Sequence, residues 1–373
     1  MRAPSPHSPR SIIHAAHNSC KYANRTIITS PYSTNRESEL EHRKAGPPRL
    51  LLLTLDAFST LFHPRRPVPE LYASVAHSFG LPPSVVTPTK LQSAFKEAFR
   101  AQSKRFPNYG REEVLRGRYG GPREWWSDVI RASFAKVMGE DRGKVEKLPD
   151  GMVESLLDLF ASQRGYALYE DVAPLFQKLT EFKRRRAVFD RIVTGVISNS
   201  DDRVPAVLKS LDLKVGDVRA DQGRSSMELP GFEERKITAG GQEQSLSLPP
   251  SPAELGRDED NDIDMIITSY EAGEEKPHRL IFDVAKHQAK AFVTTHDRTL
   301  ASDIESDRAR WFCIHVGDDY EKDYRGAINA GWDSFLLARD GHTPGNEQGD
   351  ARNVKTIGRL ADLILEIERC AGK

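Results

Sequence analysis

The stretch Leu50-Leu51-Leu52-Leu53-Thr54-Leu55-Asp56-Ala57-Phe58-Ser59-Thr60-Leu61 decides how the chain is read. Leu50 to Leu55 is apolar except for Thr54, the pattern of a parallel strand buried on both faces. The strand delivers a carboxylate, Asp56, to its carboxyl end, where open α/β sheets place their chemistry. A carboxylate there can be a metal ligand, a nucleophile or a helix N-cap. The small residues and threonine that follow suit a tight turn whose amides approach an anion.

Working outward, helical patterns come first. Glu70 to Phe79 carries Leu71, Tyr72, Val75 and Phe79 on one face, with Gly80 as a stop. Thr87-Pro88 opens a second helix as cap and first-turn proline, with apolar positions Leu91, Phe95, Ala98 and Phe99. Trp125 to Phe134 and Val153 to Phe160 mark two more. Trp125 and Trp126 are adjacent, so they cannot share a face, and one of them belongs to the core. Arg100, Lys104 and Arg105 make either a solvated helix face or an anion-binding one.

Strands and helices then alternate. Val172 to Phe182 is helical, Arg191 to Ile197 is a strand ending at Ser198, and Asp202 to Leu211 is helical. Met265 to Thr268 is a strand, and Pro277 starts a helix with Leu280, Ile281, Val284 and Ala285. Trp311 to Val316 is a strand, Asp323 to Ala330 a helix and Phe335 to Leu337 a last strand. This rhythm predicts an α/β fold, a doubly wound parallel sheet with helices on both faces. The helices between its first two strands read as an inserted subdomain. The predicted boundaries are a tail over 1–48, a core over 49–62 and 170–373, and a helical insert over 63–169. Arg219 to Asp262 is polar and rich in Gly, Ser, Pro and acids, and reads as a disordered insertion. A shorter one is expected at Thr294 to Arg308.

Composition narrows the function classes. The 373 residues carry no net charge, which gives no hint of nucleic-acid binding. The mean hydropathy of −0.55 leaves room for segments outside a core. No apolar run of about 18 residues indicates a membrane span. Three cysteines, Cys20, Cys313 and Cys370, are too few and too scattered for a disulfide framework or a zinc site, so a reducing, intracellular compartment is expected. The first 36 residues hold Arg2, Arg10, Lys21, Arg25 and Arg36 and no acid. That is the pattern of a mitochondrial transit peptide or of a basic tail without an address, and both readings stay open.

Three later segments carry chemistry toward Asp56. Ser198, with neighbouring amides, can hold a phosphoryl oxygen or serve as plain turn chemistry, and Asn199 follows it. Lys276, in Gly-Glu-Glu-Lys276-Pro277-His278, is expected at a helix start, where the macrodipole disfavours a cation unless it is exposed or has an anionic partner. Gly317-Asp318-Asp319 with Asp323 gathers acids that repel one another unless a cation sits among them, and Mg²⁺ takes one or two carboxylates with waters and phosphate oxygens.

In order, these four segments resemble the motifs of the haloacid dehalogenase-like hydrolase superfamily. The resemblance covers Leu50 to Gly341 apart from the insertions. It implies a Rossmann-like hydrolase core with a helical cap, and a small, phosphorylated substrate. Asp56 would be the nucleophile. Asp56, the Phe58 carbonyl and Asp318 would hold Mg²⁺, Ser198 and Lys276 would grip the phosphoryl group, and Asn199 would sit beside the substrate. Asp323 would support Lys276 or a metal-bound water. Phe58 departs from the pattern. Phosphatases of the family usually have there a second aspartate that protonates the leaving group, and such help is worth roughly 10²–10⁴ in rate. Asp-Ala-Phe-Ser-Thr-Leu is instead similar to the first motif of 2-haloacid dehalogenases, which work without metal, whereas Gly317-Asp318 fits the metal-dependent branch. The helical insert, from Phe95 to Gly110 and Trp125 to Ile130, looks like that of the haloacid dehalogenase-like hydrolase domain-containing protein 3 type. The reading is therefore a Mg²⁺-dependent hydrolase of a phosphate ester. The alternatives are a dehalogenase, or a weakly catalytic scaffold whose 219–262 insertion recruits a protein partner.

Overall fold

The computed structural model describes residues 46–139, 148–220, 261–339 and 354–371. The 1–45 part of the predicted tail, most of the predicted 219–262 insertion, and Cys20 lie outside the described residues, as does the side chain of Cys370.

The chain opens with β1 (Arg49–Leu55) and a short β2 (Phe62–Pro64). Five helices follow: α1 (Val68–Ser78), α2 (Pro88–Arg105), α3 (Pro107–Leu115), α4 (Pro122–Gly139) and α5 (Met152–Leu159). The short β3 (Tyr166–Leu168) then pairs antiparallel with β2, Phe62 opposite Leu168. All five helices thus leave and return through one two-stranded ladder. Next come α6 (Val172–Arg185), β4 (Arg191–Ser198), α7 (Arg203–Ser210) and β5 (Val215–Arg219). They are followed by β6 (Ile263–Thr268), the single turn α8 (Ser269–Ala272), α9 (Arg279–His296), α10 (Arg298–Glu305) and β7 (Arg310–Gly317). A π-helical turn, Tyr320–Arg325, leads into α11 (Gly326–Asn329), and β8 (Asp333–Leu337), β9 (Thr356–Ile357) and α12 (Leu363–Ala371) end the described chain.

Seven strands form one parallel sheet in the order β5-β6-β4-β1-β7-β8-β9. Connections from β1 run first to β4 on one side and later to β7 on the other. The carboxyl ends of these three strands therefore meet at the topological switch point, where a crevice opens. Leu50 to Leu55 are fully buried, and their alternation splits them between two cores. Leu51, Leu53 and Leu55 pack in one hydrophobic cluster, and Leu50 and Leu52 pack in the other with Ile281, Phe282 and Ala285 of α9.

Several sequence expectations need correction. The segment expected to be a disordered insertion, Thr294 to Arg308, is the end of α9 followed by α10, with the Asp297 carboxylate accepting the Thr299 N–H at 3.1 Å. Of α10 only Ile304 is buried, so its polarity is that of an exposed helix face. Pro277 does not start α9, which begins at Arg279, where the His278 ring accepts the Leu280 N–H at 3.2 Å. The expected Asp323–Ala330 helix begins earlier, at Tyr320, because Asp319 accepts the N–H groups of Glu321 and Lys322. Phe99, one of the apolar positions of α2, is 38 % exposed and lies on Trp125 and Trp126.

Candidate active site

Asp56 leaves the carboxyl end of β1 with its N–H bonded to the Val316 carbonyl at 2.8 Å, which fixes it beside β7. The turn that follows is tight. Leu61 and Phe62 N–H both reach the Ala57 carbonyl (2.9 and 3.2 Å), and Ser59 takes a left-handed φ of 60°. One cavity of about 200 Å³ lies at these strand ends. Asp56, Phe58, Ser198, Asn199, Lys276, Asp318 and Asp323 all line it, so every site residue named from the sequence is brought together. Ser59, Asp319 and Lys322 also contribute to its wall.

Lys276 is the hub. It is only 3 % exposed. Its ammonium donates to Asp56 Oδ1 at 2.6 Å, to Asp323 Oδ1 at 2.6 Å and to the Ile197 carbonyl at 2.7 Å. All three N–H bonds are thereby used. Burial opposes its charge, but the two carboxylates outweigh burial and raise its pKa. The expectation of a cation with an anionic partner holds, although its motif as a helix start does not. Lys276 instead owes its place to Asn199. The Asn199 amide accepts the Lys276 N–H at 2.6 Å and donates to the Lys276 carbonyl at 2.8 Å. Asn199 is thus a clamp on the lysine backbone.

Asp323 is 1 % exposed. One oxygen accepts from Lys276 and from His315 Nε2 at 3.2 Å, and the other accepts the Asp319 N–H at 2.9 Å. Burial alone would raise its pKa, but Lys276 and His315 hold it below the usual carboxylate range. Gly317 makes this possible, since a Cβ there would stand 2.2 Å from the Asp323 carboxylate. Of the two roles open to Asp323, its hydrogen bonds favour support of Lys276. Burial pushes Asp56 upward, with Asp323 adding to the rise and Lys276 opposing it. Asp318 is exposed at the mouth and accepts from Thr60 Oγ1 at 3.3 Å.

The sequence reading missed a second layer. His315 is fully buried on β7, with Nδ1 2.9 Å from Thr54 Oγ1. The Thr54 hydroxyl also donates to the Ile314 carbonyl at 3.3 Å, and Nε2 faces Asp323. Asp201, fully buried beyond Ser198, binds Arg203 through both oxygens (2.8 Å each) and accepts the Trp126 indole N–H at 2.8 Å. The Asn108 amide of α3 donates to the Ser269 carbonyl at 2.8 Å. No periodicity or motif marks these long-range partners. Arg100, Lys104 and Arg105 are exposed, and none lines the cavity.

The fold and site define a doubly wound α/β protein with a carboxylate–lysine centre at its switch point. A family model described as HAD-hydrolase-like matches residues 274–363. An uncharacterized hydrolase of Schizosaccharomyces pombe is 26 % identical over 286 residues, 77 % of this chain and 90 % of its own. The haloacid dehalogenase-like hydrolase domain-containing protein 3 of Bos taurus is 26 % identical over 290 residues, 78 % of this chain and 82 % of its own. A solved HAD-hydrolase of Bacillus subtilis bound to magnesium is 12 % identical, with 86 % of this chain and 99 % of that one aligned at a TM-score of 0.42. The chain is thus similar, in sequence, to hydrolases of the haloacid dehalogenase-like superfamily, as the four motifs led one to expect. The domain-containing protein 3 of Homo sapiens is likewise 26 % identical, over 289 residues.

Proposed function

We propose that the protein is a Mg²⁺-dependent hydrolase of a small phosphate ester, working through an aspartyl-phosphate on Asp56. The observation that carries this is the charge of the centre. Asp56, Asp318 and Asp323 place oxygen atoms within 4.8 Å of one another, against a single ammonium, that of Lys276. Such a cluster is two negative charges in excess, and its hard oxygen donors suit a small divalent cation. Asp56, Asp318 and the Phe58 carbonyl would hold Mg²⁺. When bound, it supplies positive charge against the negative charge that develops on the transferring phosphoryl group.

The chain's own residues do the rest. Lys276 orients Asp56 through one oxygen, leaving the other to attack phosphorus. Ser198, buried at the end of β4, offers its hydroxyl to a phosphoryl oxygen. Asp323 and Asn199 keep Lys276 aimed, and Lys276 reaches a phosphoryl oxygen by giving up one of its present acceptors. The five helices between β2 and β3 act as a cap that excludes water and selects the substrate.

The test is hydrolysis of a panel of phosphate esters with and without Mg²⁺, beside Asp56→Asn. Turnover that needs Mg²⁺ and vanishes in Asp56→Asn is expected. Phe58 favours one rival, the dehalogenase. Halide release from 2-haloacids that survives EDTA would replace the phosphatase reading with that one.

A further inference from the structure

Among the described residues, the cavity wall contains no group placed to protonate a departing oxygen. Phe58 carries no proton. Lys276 divides its N–H groups among Asp56, Asp323, the Ile197 carbonyl and, in turnover, the transferring phosphoryl group, and Lys322 is exposed and paired with Asp319 at 3.2 Å. Asp323 accepts three hydrogen bonds, while Asp319 Oδ1 accepts the N–H groups of Glu321 and Lys322. Asp56 attacks and Asp318 serves the metal, so both work ionised. The hydroxyls of Ser59 and Ser198 are far too weakly acidic. A P–O bond that breaks here must expel an anion that is stable without a proton. Alkoxides resemble hydroxide in basicity, and water has a pKa of about 15.7. Phenols ionise near 10.

A second observation concerns the surface beside the nucleophile. The Phe58 ring is half-buried in the cavity wall and packs edge-on against Phe62 (4.7 Å between centroids) and Tyr166 (5.6 Å). In the helical insert, half-buried Tyr109 and Trp126 lie 6.3 Å apart, centroid to centroid. Trp126 is tied to Asp201, three residues beyond Ser198, through its indole N–H. Burial raises the Tyr109 phenol, which makes it a still weaker acid. An aromatic ring such as Phe58 in a cavity wall favours another ring in edge or offset contact.

We propose that the preferred substrates are phosphate monoesters of acidic phenols, with the aryl group resting on the aromatic surface that Phe58 begins. The inference rests on the phosphatase reading above. In the first step an Asp56 Oδ–P bond forms while the P–O(aryl) bond breaks, and its electron pair leaves on the phenolate. In the second, water attacks phosphorus, the Asp56–P bond breaks with its electrons returning to the carboxylate, and one proton of the water passes to solvent. Phosphate departs.

The experiment is a kcat/KM series for the full chain with Mg²⁺, using phenyl phosphates of graded phenol acidity beside glycerol phosphate. The expected result is a fall of about tenfold for each unit of leaving-group pKa, with no turnover of the alkyl ester. kcat should be common to the fast aryl esters, because they share one aspartyl-phosphate hydrolysis. Phe58→Asp should flatten the series and admit the alkyl ester. A shallow series in the wild type, or alkyl turnover comparable with aryl, overturns this inference and leaves the phosphatase reading standing. No hydrolysis of any ester by the wild type overturns both. The wild-type series decides the matter even if Phe58→Asp fails to fold.

Discussion

At the scale of single residues, the lysine is held at both ends. Asn199 clamps its backbone and Asp323 its ammonium. Asn199→Ala would leave a partly buried N–H and C=O without partners, a loss of about 1–3 kcal/mol. Displacing Lys276 by about an ångström should also lower kcat/KM by about 10²-fold, measured by steady-state kinetics beside a thermal melt. His315 stands one step behind. Burial keeps its imidazole below the usual pKa and neutral. Its folded value therefore lies below the unfolded one, near 6.5, so the unfolded chain binds the proton more readily. Stability from this group is present above that pH and is lost as pH falls through it. His315→Gln keeps a donor for Asp323 but cannot titrate. Its unfolding free energy should change less between pH 7.5 and pH 5.5, on the order of the wild-type range, than that of the wild type in urea melts. Asp56, Ser198 and Asp318 were legible in the sequence because each ends or follows an apolar run, and Lys276 because a cation before a proline and a helix start needs an anionic partner. His315 and Thr54 were not, because a polar residue inside a strand shows its partner only once the neighbouring strand is in register.

At the scale of elements, local chemistry was read well where it is local. Thr87 caps α2 by accepting the Lys90 N–H at 3.3 Å, with Pro88 behind it. Thr87→Ala should cost about 1 kcal/mol in a denaturant melt, with no change in turnover. The failures were also local in origin. Asp297 starts α10 in a stretch whose polarity resembled disorder, and His278 displaced Pro277 as the start of α9. The join between helices and sheet is a different matter. Trp126→Phe keeps the ring and removes one donor from buried Asp201. It should cost about 1–3 kcal/mol while Arg203 still satisfies the carboxylate. A loss much below that range, measured by chemical denaturation, would mean that water replaces the indole N–H.

At the scale of the whole molecule, the sheet gathers more negative charge than it neutralises. Mg²⁺ should therefore raise the melting temperature by mass action, in proportion to the logarithm of its concentration above Kd. Asp318→Asn should melt above the wild type in EDTA, because like charges no longer crowd, and should lose the Mg²⁺ increment. Equal melting of both proteins with and without the ion would remove the case for a divalent site. No helix among the described residues is long and apolar enough to cross a membrane. The sequence by itself determined the strand-and-helix rhythm, the α/β class and the list of groups at the strand ends, because burial periodicity and turn chemistry act over a few residues. Only the tertiary structure decided what those groups do to one another. It made Asn199 a clamp, tied Asp323 to Lys276, set His315 beneath it and faced Phe58 with aromatic rings. Those contacts join residues as far apart as Asp56 and Lys276, and their geometry exists only when parallel strands bring distant chain segments into register.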